Sequence, residues 1–255
     1  MGNIVIKIGG GEVDDLRFLQ GLAENVAGMV QPPVIVHGGG KSIARTLDRM
    51  RIPFQVVEGL RVTDAESLEV VEMVLSGLIN KRLVRTLLGA GVRAIGLSGV
   101  DLGLMRVEKL LMEGHDLGYV GKIVQVDTEA LEEFLEAGMV LVLSPVSLGT
   151  DGLTYNVNAD HAALAVAVAL RAETLALITN VPGVLVRGQV VPKLTTPEIQ
   201  ALIATGEIHG GMLPKVRSAA EAVAGGVGRA YIADLDGLEK WRKGEPGTGT
   251  MILAG

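Results

Sequence analysis

The chain has 255 residues, a net charge of −6, 48% hydrophobic and 3% aromatic residues, four histidines and no cysteine. That length carries one large α/β domain or two close lobes, while the missing cysteines exclude disulfides and thiolate metal sites and the four scattered histidines form no zinc motif. The acidic balance and scarce aromatics argue against nucleic acid as a partner, and no uncharged apolar run of ~18 residues marks a membrane-spanning helix. Met1 runs straight into the first strand, leaving no room for a signal peptide, and a cytoplasmic protein is expected. In chain order, residues 4–8 read as a strand, 15–30 as a helix, 34–37 as a strand, 41–50 as a helix, 64–88 as a long helix and 93–97 as a strand. Residues 104–126 read as an antiparallel hairpin, 127–137 as a helix and 140–143 as a strand. A second hairpin at 147–155 turns at Thr150-Asp151-Gly152, ahead of a helix at 159–170 and a strand at 175–179. A third hairpin at 184–191 turns at Arg187-Gly188, and helices follow at 197–204, 213–224 and 235–240 around a strand at 230–233. Such alternation predicts a mainly parallel sheet covered on both faces. No linker interrupts it, so any division is a cleft near Arg171 between an N-terminal lobe, 1–171, and a C-terminal lobe, 172–255.

Two glycine-rich turns carry the first chemical signal. Gly9-Gly10-Gly11 stands between a strand and a helix, where backbone N–H groups can meet an anion. It is not a dinucleotide fingerprint, because Asp14 stands where the third glycine is required. By itself the triplet reads equally as a tight βα turn. Lys7, inside the preceding strand, changes the weighing: a lysine in a buried parallel strand is costly unless it meets an anion. His37-Gly38-Gly39-Gly40-Lys41-Ser42 ends like a Walker A loop, but Ile35 replaces that loop's first glycine and the motif is rejected. Two such turns at adjacent strand ends would make one anion site at the carboxyl edge of the sheet; unrelated turns are the alternative.

Polar residues recur at the edges of three later elements. Arg61, just ahead of a long helix that Thr63 or Asp64 can cap, could grip a carboxylate, although a solvated arginine is the commoner outcome at such a place. Asn156-Val157-Asn158-Ala159-Asp160 opens an almost wholly apolar helix; Asn158 serves as its cap, leaving Asn156 and Asp160 in need of other partners. Asp160 could bind Mg²⁺ or hold lysine ammonium groups. Thr179-Asn180-Val181-Pro182-Gly183-Val184 follows a strand as a turn. In Gly210-Gly211-Met212-Leu213-Pro214-Lys215, a lysine enters the first part of a helix against its dipole, which favours a phosphate nearby. The combination points to phosphoryl transfer without a P-loop.

Taken in order, Lys7-Ile8-Gly9-Gly10, His37-Gly38-Gly39-Gly40, Gly59-Leu60-Arg61-Val62-Thr63, Asn156-Val157-Asn158-Ala159-Asp160 and Gly210-Gly211-Met212-Leu213-Pro214-Lys215 resemble the amino-acid kinase superfamily over nearly the full length. Within it they are most similar to the branch that phosphorylates N-acetyl-L-glutamate. The resemblance implies a three-layer αβα sandwich around an open, mainly parallel sheet with small β-hairpins. It implies transfer of the γ-phosphoryl group of ATP, with Mg²⁺, to the γ-carboxylate of N-acetyl-L-glutamate. Lys7 and Lys215 would stabilise the transferring group and Asp160 would orient both lysines. Gly39 and Gly40 would donate N–H groups, and Arg61 and Asn156 would hold the acceptor. Gly9 and Gly10 would face the phosphates, while Asn180, Val181, Pro182, Gly183, Val184 and Leu185, with Glu207, Ile208 and His209, would line the nucleotide site.

Three positions depart from the family's usual pattern: Lys41-Ser42 after the triple glycine, Leu102 where glycine is frequent, and Asn180 where aspartate is common. Lys41 and Leu102 are expected to alter the acyl pocket, which leaves N-succinyl or another N-acyl glutamate open as substrate. The arginine-inhibited hexamers of the family carry an extra N-terminal helix ahead of the first catalytic lysine. With that lysine already at position 7, a homodimer joined through residues 64–88 and insensitive to arginine is expected. Rivals are a kinase of carrier-protein-bound α-aminoadipate or glutamate and, in another class, a non-catalytic nucleotide- or amino-acid-sensing module. The apolar Met212-Leu213-Pro214 disfavours the first, and the full set Lys7, Asp160 and Lys215 disfavours the second.

Overall fold

The computed structural model describes residues 2–255. β1 (Ile4–Ile8) leads to α1 (Leu16–Ala27), β2 (Val34–His37) and α2 (Gly40–Met50). A short hairpin, β3 (Val56–Val57) with β4 (Leu60–Arg61), precedes α3 (Ala65–Glu72), a π-helical stretch Met73–Ile79 and α4 (Asn80–Gly89). Next come β5 (Ala94–Gly99), β6 (Met105–Lys109), β7 (Gly121–Val126), α5 (Thr128–Glu136), β8 (Val140–Gly149), β9 (Thr154–Asn156), α6 (Ala159–Ala169) and β10 (Thr174–Ile178). The last part holds β11 (Leu185–Val186), β12 (Gln189–Val190), β13 (Lys193–Thr195), α7 (Thr196–Ala204), α8 (Met212–Ala224), β14 (Arg229–Ala233), α9 (Leu235–Lys243) and β15 (Thr250–Leu253). No described helix is long and apolar enough to cross a membrane.

The main sheet runs β13-β15-β14-β10-β1-β2-β8-β6-β7, with β5 and β9 also paired to β8. Its centre is parallel: β14, β10, β1, β2 and β8 lie side by side, and the antiparallel pairs sit toward the margins. The central strands are apolar along their length because helices cover both faces. One core packs α6 and α8 against Val5, Val36, Leu143 and Leu177; the other packs α1, α4 and the π stretch against Ile6, Ile8, Ile35 and Val142. The cores thus divide by sheet face. A boundary at Arg171 falls between β1 and β10, which pair in register from Ile4↔Thr174 to Ile8↔Ile178, so the sheet crosses it unbroken.

Every strand, helix and hairpin predicted above is present, with shifted ends. Three small features are additional. β3–β4 turns at Glu58-Gly59, both with positive φ, as in a type I′ hairpin; glutamate is a poor signal for that conformation. β13, an edge strand, and β15, which lies between β13 and β14, are short and stand in segments without a strand signal. The predicted helix 64–88 is interrupted by the π stretch. Its buried positions run Ser67, Val70, Val71, Val74, Leu75 and then slip to Ile79, Asn80, Leu83 and Leu87. A regular helix would have buried position 78, yet Leu78 is exposed; the wider turn absorbs one extra residue.

Candidate active site

Alternation along β1 sends Ile6 and Ile8 into the α1 face and aims Lys7 at the α6 face. There the Lys7 ammonium meets Asp160 Oδ1 at 2.7 Å, with 9% and 27% of the two side chains exposed. The contact is a charge pair whose angle leaves that oxygen without a directed hydrogen bond. Asp160 is delivered by the first turn of α6, whose cap is Asn158: its Oδ1 accepts from the Asp160 N–H at 2.8 Å. The cap explains Asn158, so Asp160 is free for Lys7.

Ile8 pairs with His37 across β1 and β2, which brings the two glycine turns together at one sheet edge. A Cβ on Gly10 would stand 2.7 Å from Gly40 N and 2.9 Å from Gly39 N, so the turns touch backbone to backbone. A Cβ on Gly39 would collide with Leu75 and Ile79, while the space over Gly40 is open. Two helices that begin at this edge lack the side-chain cap that most of the others have. α1, α3, α5, α6 and α9 start on a side chain that accepts their first N–H groups, whereas α2 and α8 start on Gly39 and Gly211 with no side-chain cap. The leading amides of α2 open onto the cleft, where an anion can satisfy them; α8 offers fewer, because the Leu213 N–H is taken by Gly210 O at 3.2 Å and Pro214 has none.

Three cavities adjoin along that cleft. The first, about 230 Å³, is lined by Lys7, Gly38, Gly39, Gly40, Arg61, Asn156 and Asp160 with apolar walls from Val56, Leu75, Val120 and Pro145. Arg61 donates from Nη2 to Gly40 O at 3.1 Å and stacks over Phe54 at 4.2 Å. Its Nη1 is buried with no protein partner, and burial pushes the guanidinium below its ordinary value. Asn156 donates to Thr63 Oγ1 at 3.2 Å, which ties β9 to the segment carrying Arg61. The second cavity, about 300 Å³, is lined by Lys7, Gly9, Gly10, Lys41, Asp160, Thr179 and Lys215. The third, about 390 Å³, is lined by Asn180, Val181, Leu185, Glu207, Ile208 and His209, with Thr179 and Lys215 shared with the second.

Several expectations need adjustment. Lys215 shares the second cavity with Lys7 and Asp160, but its Nζ donates to Gly211 O at 3.3 Å, one turn back on α8. Asp160 therefore orients one lysine in this structure, not both. Pro182, Gly183 and Val184 do not line the third cavity with the other residues expected around the nucleotide: the Val184 N–H donates to Thr250 Oγ1 at 2.8 Å, and Gly183 packs against Thr250 and Val190. Leu102 is 71% exposed and lines none of the three cavities, and Lys41 lines the second cavity and not the first. The apolar walls Val56, Leu75, Val120 and Pro145 were missed because single apolar residues scattered over four segments carry no motif.

Behind the glycine turn lies a buried polar network. His37 Nδ1 is 3.1 Å from Gly38 O, a contact only a protonated Nδ1 can make, so Nε2 accepts from Asn80 Nδ2 at 3.4 Å. Asn80 Nδ2 also lies 2.8 Å from Val142 O and 3.2 Å from Leu97 O, so its two hydrogens are shared among three acceptors and join α4 to β8 and β5. Burial pushes the His37 imidazole down to about 4, opposed by its bond to Gly38 and assisted by the Lys81 charge. A base whose folded pKa lies below its unfolded value stabilises the fold fully above the unfolded pKa, near 6.5, and that stability is lost as pH falls toward 4. The linked loss is about 3 kcal/mol. Urea unfolding at pH steps from 7 to 4 should show this decline, and a His37→Asn variant should show a clearly smaller one. In front of the turn, burial raises the Asp14 carboxyl, but Ser42, Arg45 and Arg82 outweigh it and hold it below the usual range.

A profile of the amino acid kinase family matches residues 3–234. The chain is 51% identical over 235 residues to an acetylglutamate kinase of Chloroflexus aurantiacus, covering 92% of each. It is 49% identical over 251 residues to an acetylglutamate kinase of Roseiflexus castenholzii, covering 98% of this chain and 94% of that one. Among solved structures, smu.665 from Streptococcus mutans UA159 superposes with a TM-score of 0.81 at 37% identity, covering 99% of this chain and 98% of that one.

Proposed function

The chain belongs to the amino acid kinase family, and from that premise we infer that it transfers the γ-phosphoryl group of ATP to the γ-carboxylate of N-acetyl-L-glutamate, a step of arginine biosynthesis. The observation that carries the acceptor assignment is the buried, unpartnered Nη1 of Arg61, in a cavity that also holds Lys7 and the Gly39 and Gly40 amides. A two-carboxylate acceptor suits it: Arg61 and Asn156 take the α-carboxylate end, the apolar walls take the acyl group, and the γ-carboxylate faces Lys7. Residues 1–171 would hold the acceptor and residues 172–255 the nucleotide.

A γ-carboxylate is ionised at neutral pH, so no general base is needed. One of its oxygens forms the new bond to the γ-phosphorus as the bond to the β–γ bridging oxygen breaks, and ADP leaves with that oxygen. The residues' task is alignment and neutralisation of charge on the transferring group. Lys7, held by Asp160, serves the acceptor side, Lys215 the nucleotide side, and the Gly39 and Gly40 N–H groups the equatorial oxygens. Asn180, Val181, Leu185, Glu207, Ile208 and His209 surround the nucleotide body. No group of three or more His, Cys, Asp or Glu that could hold a metal occurs among the described residues. Mg²⁺ would therefore arrive with the nucleotide, and Asp160 and Glu12, the carboxylates of the second cavity, are the side chains that would be available to it. When bound, the ion would supply further charge neutralisation. Met73, Leu78 and Leu88, exposed on the long helix, support a homodimer through residues 64–88. The absence of cysteine agrees with a cytoplasmic enzyme.

The test is ATP-dependent acyl phosphate, trapped as the hydroxamate, with N-acetylglutamate, N-succinylglutamate and glutamate side by side. Product from N-acetylglutamate is expected; product from N-succinylglutamate alone, or from none of the three, overturns the acceptor assignment. Arg61→Ala should raise the KM for N-acetylglutamate at least about thirtyfold, the loss of a charge-assisted bond of ~2 kcal/mol or more, with the KM for ATP nearly unchanged. Steady-state kinetics with each substrate varied in turn checks it.

A further inference from the structure

We propose that Lys41 is a third phosphate-contacting cation, reaching the nucleotide's phosphate chain from the α2 side of the cleft; this rests on the kinase reading above. Lys41 lies in the first turn of α2, the wrong end of the helix dipole for a cation. It makes no ion pair or hydrogen bond with any described residue, although neighbouring cations do: Arg45 and Arg82 are both tied to Asp14, at 3.4 and 3.2 Å. The side chain is exposed, but the helix turn that carries it is fixed: Ser42, the next residue, donates to both Asp14 oxygens at 2.7 and 2.9 Å, which pins the start of α2 against the 3-10 turn Glu12–Asp14 that follows Gly11. Gly11 makes room for the lysine: a Cβ there would stand 3.4 Å from Lys41 Nζ.

The result is a cavity shared by Lys7, Lys41 and Lys215 on the cationic side and Asp160 and Glu12 on the acidic side. Asp160 is matched to Lys7. Lys41 and Lys215 are left with Glu12 alone, so the cavity carries net positive charge before any ligand enters, beside the uncapped amides of α2. An extended polyanion compensates this arrangement where a single carboxylate cannot, because the two unmatched ammonium groups come from opposite walls. The acceptor-side cavity, by contrast, is lined by Arg61 and Lys7 without Lys41, which separates the lysine's expected effect from acceptor binding.

The experiment compares the wild-type protein with Lys41→Ala, Lys41→Arg and, as a remote control of equal charge change, Lys122→Ala. Two readouts are taken: KM and kcat with each substrate varied, and calorimetric binding of ADP and of a non-hydrolysable ATP analogue, which needs no acceptor. Lys41→Ala should weaken the ATP analogue about tenfold or more, raise the KM for ATP correspondingly, and leave the KM for N-acetylglutamate within about twofold; Lys41→Arg should recover most of the loss. Wild-type nucleotide affinity in Lys41→Ala overturns the proposal. So does an equal loss in Lys122→Ala, or an effect confined to the acceptor. A wild-type protein that binds nucleotide but phosphorylates none of the offered acceptors sinks the acceptor assignment alone, and the binding arm still decides the role of Lys41.

Discussion

Replacing Lys7 with methionine should abolish most turnover while leaving the fold as stable as before. The ammonium is almost fully buried and paired with Asp160, and its task in the proposed reaction is to neutralise charge that grows on the transferring group. Removal of one preorganised donor of this kind costs about 3–4 kcal/mol of transition-state stabilisation, or ~10²–10³ in kcat. A role confined to structure predicts the opposite pair of results. Breaking a buried ion pair leaves a charge uncompensated and should lower stability, with activity falling only in proportion. Here Asp160 keeps 27% of its side chain in solvent although Oδ1 itself is buried, so its charge is not left fully desolvated when Lys7 is gone, and the apolar methionine stem removes the cost of burying the ammonium. Hydroxamate trapping alongside thermal unfolding separates the two. Turnover near wild type in a stable Lys7→Met protein would remove Lys7 from the mechanism.

Asn80→Ala should be among the most destabilising substitutions in the chain, by about 3 kcal/mol or more. The side chain is fully buried and shares its two N–H hydrogens among Val142 O, Leu97 O and His37 Nε2, and its own carbonyl accepts from Lys81 Nζ at 3.0 Å. Alanine leaves those acceptors in a dry space, each at a cost of about 1–3 kcal/mol unless another donor reaches it. At this chain length that corresponds to a fall in unfolding midpoint of roughly 6–12 °C. Because His37 leans on the Gly38 carbonyl, the glycine turn loses its rear support as well, and kcat should fall at temperatures where the variant is still folded. Differential scanning calorimetry and activity at 15 °C read the two effects; an unchanged midpoint would show that the network carries no net stability.

Legibility varied with how local each cause is. Lys7 stood out in the sequence because an ammonium in a β-branched run violates the ordinary burial of strands. Asn158 stood out because a cap is set by its own next two residues. The adjacency of the two glycine turns followed from parallel pairing of consecutive strands. What was not legible depends on long-range packing. Arg61 reads as a loop residue in sequence, yet it belongs to a hairpin whose turn residue Glu58 gives no conformational signal. The direction of Lys215 is decided by the Gly211 carbonyl one turn back. His37 and Asn80 are 43 positions apart and meet through the crossing of α4 behind β2; neither residue announces the other.

The π-helical stretch separates two properties that are usually correlated, the chemistry of a position and the length of the chain through it. Gly77 is exposed and a Cβ there meets nothing within 4 Å, so its identity is nearly free to change. Its presence is not. One residue fewer would return Met73–Ile79 to an ordinary helical pitch and rotate everything downstream by about 100° relative to α3. Asn80 would then turn away from β5 and β8, and Leu83 and Leu87 away from the core they fill. Substitution and deletion at the same surface glycine therefore have opposite consequences. Descendants of this sequence can drift freely in residue type along that turn but are held to its count, because the count keeps α4 in phase with the sheet.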